Sequence, residues 1–316
     1  MRSNSRKVPV INNKVRFCFY RDYQRYTGGH QKFKDYMQHI AELPNVECHL
    51  YSKNTCDVMP NLFSSVPNVV IDETYEPEKA DVVFLAGMDW NAYLPKRTEG
   101  QQVVNLIQHV RHGDKKNPLF KFLQYEALRI CVSEEVRQAI LPYANGDCVT
   151  ITMGHTIPVL DAEKQWDLYI LGKKNPTFAN RIKAWAKNQG IVVKADTGLV
   201  ERDAVFGNLS KAKVALVLPN PTEGFFLPGI EAMGLSERVV VPDCIGNRGY
   251  CAPFTNITLC NYEENDCTKA ISNALERLST PLHKYEKFRG NRKARSYSID
   301  AERRELQKLM LDNNLA

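Results

Sequence analysis

No Cys-x-x-Cys spacing occurs in the sequence, so a zinc knuckle or a thioredoxin-like redox site is not expected. The nine cysteines, at positions 18, 48, 56, 131, 148, 244, 251, 260 and 267, are scattered and odd in number. That suits reduced thiols packed as small core residues in a cytosolic protein. No apolar run approaches the about 18 residues needed to cross a bilayer. Residues 1–14 carry basic side chains with no apolar stretch behind them, and read as a short lead-in, not a secretory leader. No Gly-x-Gly-x-x-Gly follows either early strand, which argues against a nicotinamide-dependent dehydrogenase. No Asp-x-Asp is present, so a donor site bridged by a metal is not called for. Basic residues interleaved with stacking aromatics are also missing, so nucleic acid is not expected as a partner.

What is present is an ordinary globular composition of 316 residues. At about 100–200 residues per domain, two domains are expected. The net charge of +6 favours phosphorylated substrates or an anionic membrane surface. Lys14–Tyr20 reads as a first strand, followed by a polar loop over Arg21–Thr27 and the doublet Gly28-Gly29. A helix follows from His30 to Leu43, with Phe33, Tyr36, Met37, Ile40 and Leu43 at helical spacing. Val46–Tyr51, Val69–Ile71, Ala80–Leu85, Gln102–His109, Ala127–Val132 and Val149–Met153 read as strands, several of them apolar throughout as in a parallel sheet covered on both faces. Ser133 is placed to cap a helix carrying Glu134 and Glu135 in its first turn. The pattern restarts at Trp166 with a strand, Gly172 and two lysines. A helix then carries Phe178, Ile182, Trp185 and Ala186. Strands at Ile191–Val193, Val214–Leu218 and Arg238–Val241 and helices at Asp266–Leu278 and Ile299–Leu311 follow. Alternation of this kind predicts two Rossmann-like α/β domains.

The chemistry concentrates after the strand Val214–Leu218. A loop, Asn220–Phe226, leads to Pro228, a residue favoured at a helix start. Ligands of open α/β sheets bind at the carboxyl ends of strands, and the free amides and dipole of a helix start suit phosphate. Gly224, Phe225, Phe226, Leu227 and Gly229 are therefore candidate backbone donors to an anion. Glu223 on the loop and Glu231 in the first helical turn can face the same crevice, and a carboxylate suits the paired hydroxyls of a sugar or a ribose. Past the strand ending near Ile107, His109 and His112 stand three apart. Metal binding would need further ligands, and none is in view.

The order Glu223-Gly224-Phe225-Phe226-Leu227-Pro228-Gly229-Ile230-Glu231-Ala232-Met233, then a short turn and a Val-Val strand, resembles the signature of retaining glycosyltransferases of the GT-B fold, family four above all. Phe226 departs from it, standing where that family usually has glycine. Weaker likenesses run along the rest of the chain. Thr27-Gly28-Gly29 resembles the family's first glycine turn, and Leu171-Gly172-Lys173-Lys174 the basic start of its second domain. Gly246 and Arg248 lie in a loop loosely similar to the one that follows the Val-Val strand, and Tyr297–Leu311 resembles the closing helix.

The resemblance implies two Rossmann-like domains facing a central cleft, an N-terminal acceptor-side domain over residues 1–160 and a nucleotide-sugar domain over 161–296. A C-terminal helix over 297–316 crosses back to the first domain. It implies transfer from a nucleoside-diphosphate sugar, with retention and without metal or other cofactor, to a glycan or lipid-linked acceptor in cell-surface polysaccharide synthesis. That work would be done in the cytoplasm, at the inner membrane face if the protein attaches peripherally there. His109, Glu223 and Lys173 would serve catalysis. Gly28, Gly29, Gly172, Lys173, Lys174, Glu223, Gly224, Phe225, Phe226, Leu227 and Glu231 would hold the donor. His112 remains the rival to His109. An epimerase of the same fold and a non-catalytic sugar-nucleotide-binding protein remain alternative readings.

Overall fold

A computed structural model describes residues 14–23, 28–54, 62–63 and 66–316. The lead-in up to residue 13, the end of the expected polar loop with Thr27, and Cys56 lie outside the described residues.

The first half alternates β1 (Val15–Tyr23), α1 (Gly28–Ala41), β2 (Val46–Asn54), β3 (Val69–Ile71), β4 (Val82–Ala86), a short α2 (Trp90–Tyr93), β5 (Gln102–Ile107), β6 (Leu128–Cys131), α3 (Glu134–Ile140) and β7 (Cys148–Thr150). Its strands form one sheet in the order β3-β2-β1-β4-β5-β6-β7, and every pairing is parallel. Every residue of β4 is buried, as its apolar run requires. Phe17 and Phe19 of β1 face α1, where Phe19 meets Phe33 edge-on at 5.9 Å, while Cys18 packs with Val83, Leu85 and Trp90 on the other face. β1 reaches Tyr23, past the expected loop start at Arg21, because its backbone pairs with β2 along its whole length, from Val15↔Val46 to Tyr23↔Asn54. Ladder hydrogen bonds of this kind do not depend on side-chain polarity.

The second half runs β8 (Trp166–Leu171), α4 (Pro176–Asn188), β9 (Val193–Asp196), α5 (Arg202–Ser210), β10 (Ala212–Val217), α6 (Leu227–Leu235), β11 (Arg238–Pro242), β12 (Ile257–Cys260), α7 (Glu264–Arg277), α8 (Leu282–Ser296) and α9 (Ile299–Asp312). Its five strands pair in the order β12-β11-β10-β8-β9, again in parallel. Leu168 and Ile170 face α4 and α7, and Tyr169 faces α5 and α6. Ser133, Asn175 and Ser298 cap α3, α4 and α9 by accepting from Val136, Phe178 and Ala301 amides. The strand expected at Ile191–Val193 begins two residues later. Gly190 ends α4 with φ 71°, and the Ile191 amide is tied back to the Ala186 carbonyl at 3.0 Å. The short strand β12 and the helices α5 and α8 were not expected from the sequence.

The closing helix does return to the first unit. Leu306, Met310 and Leu315 are part of the core under α1. Glu302, with a fully buried side chain, meets Lys32 Nζ at 2.9 Å, His39 Nε2 at 3.2 Å and the Gly154 amide at 2.6 Å. Lys32 in turn donates to the Gly154 carbonyl at 2.6 Å. The outgoing and returning stretches of chain between the two sheets run side by side, with a parallel bridge between His155 and Ser298. Eight cysteines are described and all are free.

Candidate active site

In the second sheet β8 is flanked by β9 on one side and β10 on the other, so the topological switch point lies between β8 and β10, where open α/β sheets hold ligands. Lys173 and Lys174 follow β8, and Asn220–Phe226 follows β10. Both segments therefore rim one crevice. Lys174 forms an ion pair with Glu223, and its ammonium sits 4.9 Å from the Phe226 ring centroid. Asn220 Nδ2 donates to the same Glu223 oxygen at 3.2 Å. Lys173 is exposed, and no ion pair involving it occurs among the described residues. Phe226 is 1 % exposed and belongs to the core of the second unit. It does not line an open pocket; it supports Lys174 from beneath.

The other half of the crevice comes from the first unit. Gly224 lies so close that a Cβ there would stand 2.6 Å from the Gln108 carbonyl oxygen and 2.8 Å from Val136 Cγ2. Only glycine permits that approach. Phe225 packs against the cores of both units. One residue beyond Gln108, His109 begins a short turn, and the Arg111 amide donates to its Nδ1 at 3.3 Å, which leaves the ring proton on Nε2. Burial and then Arg111 hold its imidazole below the usual histidine range; Lys174 adds to this and Glu223 opposes it. His109, Lys174 and Glu223 are thus within electrostatic reach of one another across the crevice. His112 faces the interior at 7 % exposure, where burial pushes its imidazole down to about 3. Gln108 Nε2 donates to the Gly29 carbonyl at 3.2 Å, which draws the Gly28-Gly29 start of α1 to the same rim. Gly172 is packed against Ala179, so it serves helix packing after β8.

Two sequence expectations need correction here. Glu231 is the fifth residue of α6, in its second turn. It is 7 % exposed and already engaged: Arg202 Nη2 donates to Oε1 at 3.0 Å, and His155 Nδ1 lies 3.7 Å from the same oxygen. Of the five candidate amide donors, Phe226 and Gly229 are occupied, by the Gly246 carbonyl at 3.4 Å and the Phe226 carbonyl at 3.2 Å, because the loop closes tight turns as it enters α6. Gly224, Phe225 and Leu227 have no amide partner among the described residues. Arg248 is held by Asp243 through two contacts, at 3.0 and 2.6 Å, which occupies it. No cluster of metal-ligating side chains occurs among the described residues.

Sequence reading missed Arg202, His155 and Asp89. Arg202 and His155 lie 29 and 76 positions from Glu231, and no local pattern links them to it. Asp89, just past β4, accepts from Arg21 Nη1 at 2.8 Å and from the Ala86 amide at 2.9 Å. Burial pushes its carboxyl up to about 6, against Arg21. Its signal was available, since it stands three residues past a fully apolar strand, near the carboxyl end where open α/β sheets place their ligands.

No family model matches the chain, and no curated protein matches it in sequence. Solved structures do resemble it. It is similar to a sucrose-phosphate synthase from Thermosynechococcus elongatus at 12 % identity and TM-score 0.72, over 95 % of this chain and 99 % of that one. The HepE protein of Anabaena in complex with UDP-glucose matches at 10 % identity and TM-score 0.71, over 94 % and 100 %. A glycosyltransferase from Rickettsia africae matches at 12 % identity and TM-score 0.64, over 94 % and 98 %. Together with the two parallel sheets and the returning helix, these likenesses establish the GT-B architecture as the fold of this chain.

Proposed function

We propose that this protein is a glycosyltransferase that moves a sugar from a nucleoside-diphosphate sugar to a glycan or lipid-linked acceptor. The observation that carries the reading is the meeting of Lys174, Glu223 and the open amides of the α6 entrance with His109 across one crevice. HepE was solved with UDP-glucose, which supports a donor of that class. In this reading the bond between the anomeric carbon and the β-phosphate oxygen breaks, and negative charge collects on the diphosphate. Lys174, Lys173 and the amides of Gly224, Phe225 and Leu227 stabilise that charge by preorganised electrostatics. Lys174 has three donors, so it can keep Glu223 and meet a phosphate at once. Glu223 accepts from sugar hydroxyls and Glu231 from the ribose. His109, neutral with its proton on Nε2, donates to the sugar or orients the acceptor. The acceptor oxygen bonds to the anomeric carbon on the face the phosphate leaves, and its proton passes to the departing phosphate oxygen. The site chemistry described above asks for no metal.

The test is a thermal-shift panel of UDP, ADP and GDP, followed by transfer assays with the matching donor sugars and NMR of the product anomer. A ligand that binds only the folded state raises the melting temperature. No shift with any nucleoside diphosphate overturns the reading, and an inverted product overturns retention. His109→Ala should lower kcat by about 10²-fold with nucleotide affinity held within about threefold. A His112→Ala variant that loses turnover while His109→Ala keeps it reverses the assignment.

A further inference from the structure

The helix α8 turns its sequence pattern inside out. The residues it buries are Glu286, Gly290 and Ala294. Gly290 allows Asn256 to lie against the helix, for a Cβ there would stand 1.8 Å from Asn256 Oδ1. Glu286 is consumed by ion pairs with Arg238 at 2.7 Å and with Arg277. On the opposite side Leu282, Tyr285 and Phe288 are 54, 51 and 64 % exposed. At 100° per residue these three share one face with Arg289, Arg292 and Lys293. Arg289 lies over the Tyr285 ring. Five cations of the helix, Lys284, Arg289, Arg292, Lys293 and Arg295, have no carboxylate partner among the described residues.

From these observations we infer that the outer face of α8 seats the protein on the surface of an anionic phospholipid bilayer. A helix that shows an apolar line flanked by cations, and that is too polar to insert across the membrane, lies in the plane of the interface. Its rings and aliphatic side chain enter the headgroup boundary and its cations meet lipid phosphates. Long basic side chains extend their charges to the headgroups while their stems stay among apolar neighbours. A second copy of this chain is a poor occupant, because a two-fold contact would press Arg289 and Arg292 against their own counterparts. Nucleic acid would use the cations and rings but would leave Leu282 in water. The placement also has a use. α8 is followed directly by Tyr297, whose ring meets Phe225 at 5.7 Å, so a bilayer under α8 lies near the rim of the crevice. The inference goes beyond the proposed transferase activity and stands or falls without it.

The experiment is co-sedimentation of the full chain with vesicles of phosphatidylcholine alone and with about one third phosphatidylglycerol. The protein should pellet with the anionic vesicles and not with the neutral ones, and added salt should release it. Tyr285→Ser/Phe288→Ser and Arg289→Glu/Arg292→Glu should each weaken partitioning by at least about tenfold, since a cation near the surface is worth about fivefold. If charge reversal lowers the melting temperature, Arg289→Gln/Arg292→Gln carries the test. Failure of the unaltered protein to bind anionic vesicles overturns the inference. So does equal binding by the variants, or binding to RNA in place of vesicles.

Discussion

Arg202 and Glu231 are joined through a single carboxylate oxygen: Nη2 donates to Oε1 at 3.0 Å, and His155 stands on that same oxygen. The other oxygen, Oε2, has no protein partner among the described residues. The pair therefore fixes the carboxylate and leaves one acceptor open. If Glu231 reads the ribose, Arg202→Gln should loosen that reading without touching the diphosphate. Because Arg202 is almost half exposed, the effect on affinity should be modest, about three- to tenfold. The sharper measure is the ratio of dissociation constants for a 2′-deoxyribonucleoside and a ribonucleoside diphosphate, which should fall toward one. Discrimination kept in full by Arg202→Gln would mean that the ion pair does not orient Glu231.

Gly224→Ala should damage turnover more than folding. The new methyl group would meet the Gln108 carbonyl at 2.6 Å, so the two units must part at the crevice, where a shift of about 1 Å costs on the order of 10²-fold in rate. A melting temperature near that of the unaltered protein together with a loss of kcat/KM of at least about tenfold is expected. Full activity would show that the units do not need this close approach.

His112 should make the fold acid-sensitive. Its folded value of about 3 lies below the unfolded histidine value, so between the two the unfolded chain binds the extra proton and stability falls as pH drops through that window. At pH 4.5 the loss from this group is roughly 2–3 kcal/mol. Urea unfolding at pH 7 and pH 4.5 should show a smaller acid loss for His112→Gln than for the unaltered protein. Equal losses in both would remove His112 as the cause.

Glu302→Gln should be strongly destabilising, because Lys32 would keep its charge in a buried site with only the Asp35 carboxylate, at 3.1 Å, left to pair with it. Breaking one side of such a pair costs about 3–5 kcal/mol. Lys32→Met/Glu302→Leu should recover much of that loss, since both charges then leave the interior together. A double variant no more stable than Glu302→Gln would place the stabilisation elsewhere, in the Gly154 contacts or in packing.

The loop and helix start that rim the crevice were legible because they lie in one short peptide, Glu223 to Glu231, where the order of loop, proline and helix carries the geometry. The parallel strands were legible for a similar reason: apolar runs such as Val82–Ala86 are buried on both faces. Contacts made across the chain left no trace. Nothing near Glu231 in sequence announces Arg202 or His155, and only the structure separates His109 from His112. Phe226 stood out only as a departure from the family's glycine; that the loop turns its ring inward beneath Lys174 is seen in the structure alone. Helix α8 was missed because periodicity looks for buried apolar side chains. There the buried face is a paired glutamate, a glycine and an alanine, and the large apolar residues point outward.

The anchoring of Leu306, Met310 and Leu315 in the first core orders events during synthesis. Domains generally fold as units, the N-terminal one first as it leaves the ribosome. In this chain the sheet made first cannot close its own interior, since part of that interior is supplied by α9, which is made after the whole second sheet. Until those residues are free, the face of α1 that carries Tyr36 and Ile40 has no lid. The nascent first half is thus an incomplete body until α9 has been made and can dock against α1.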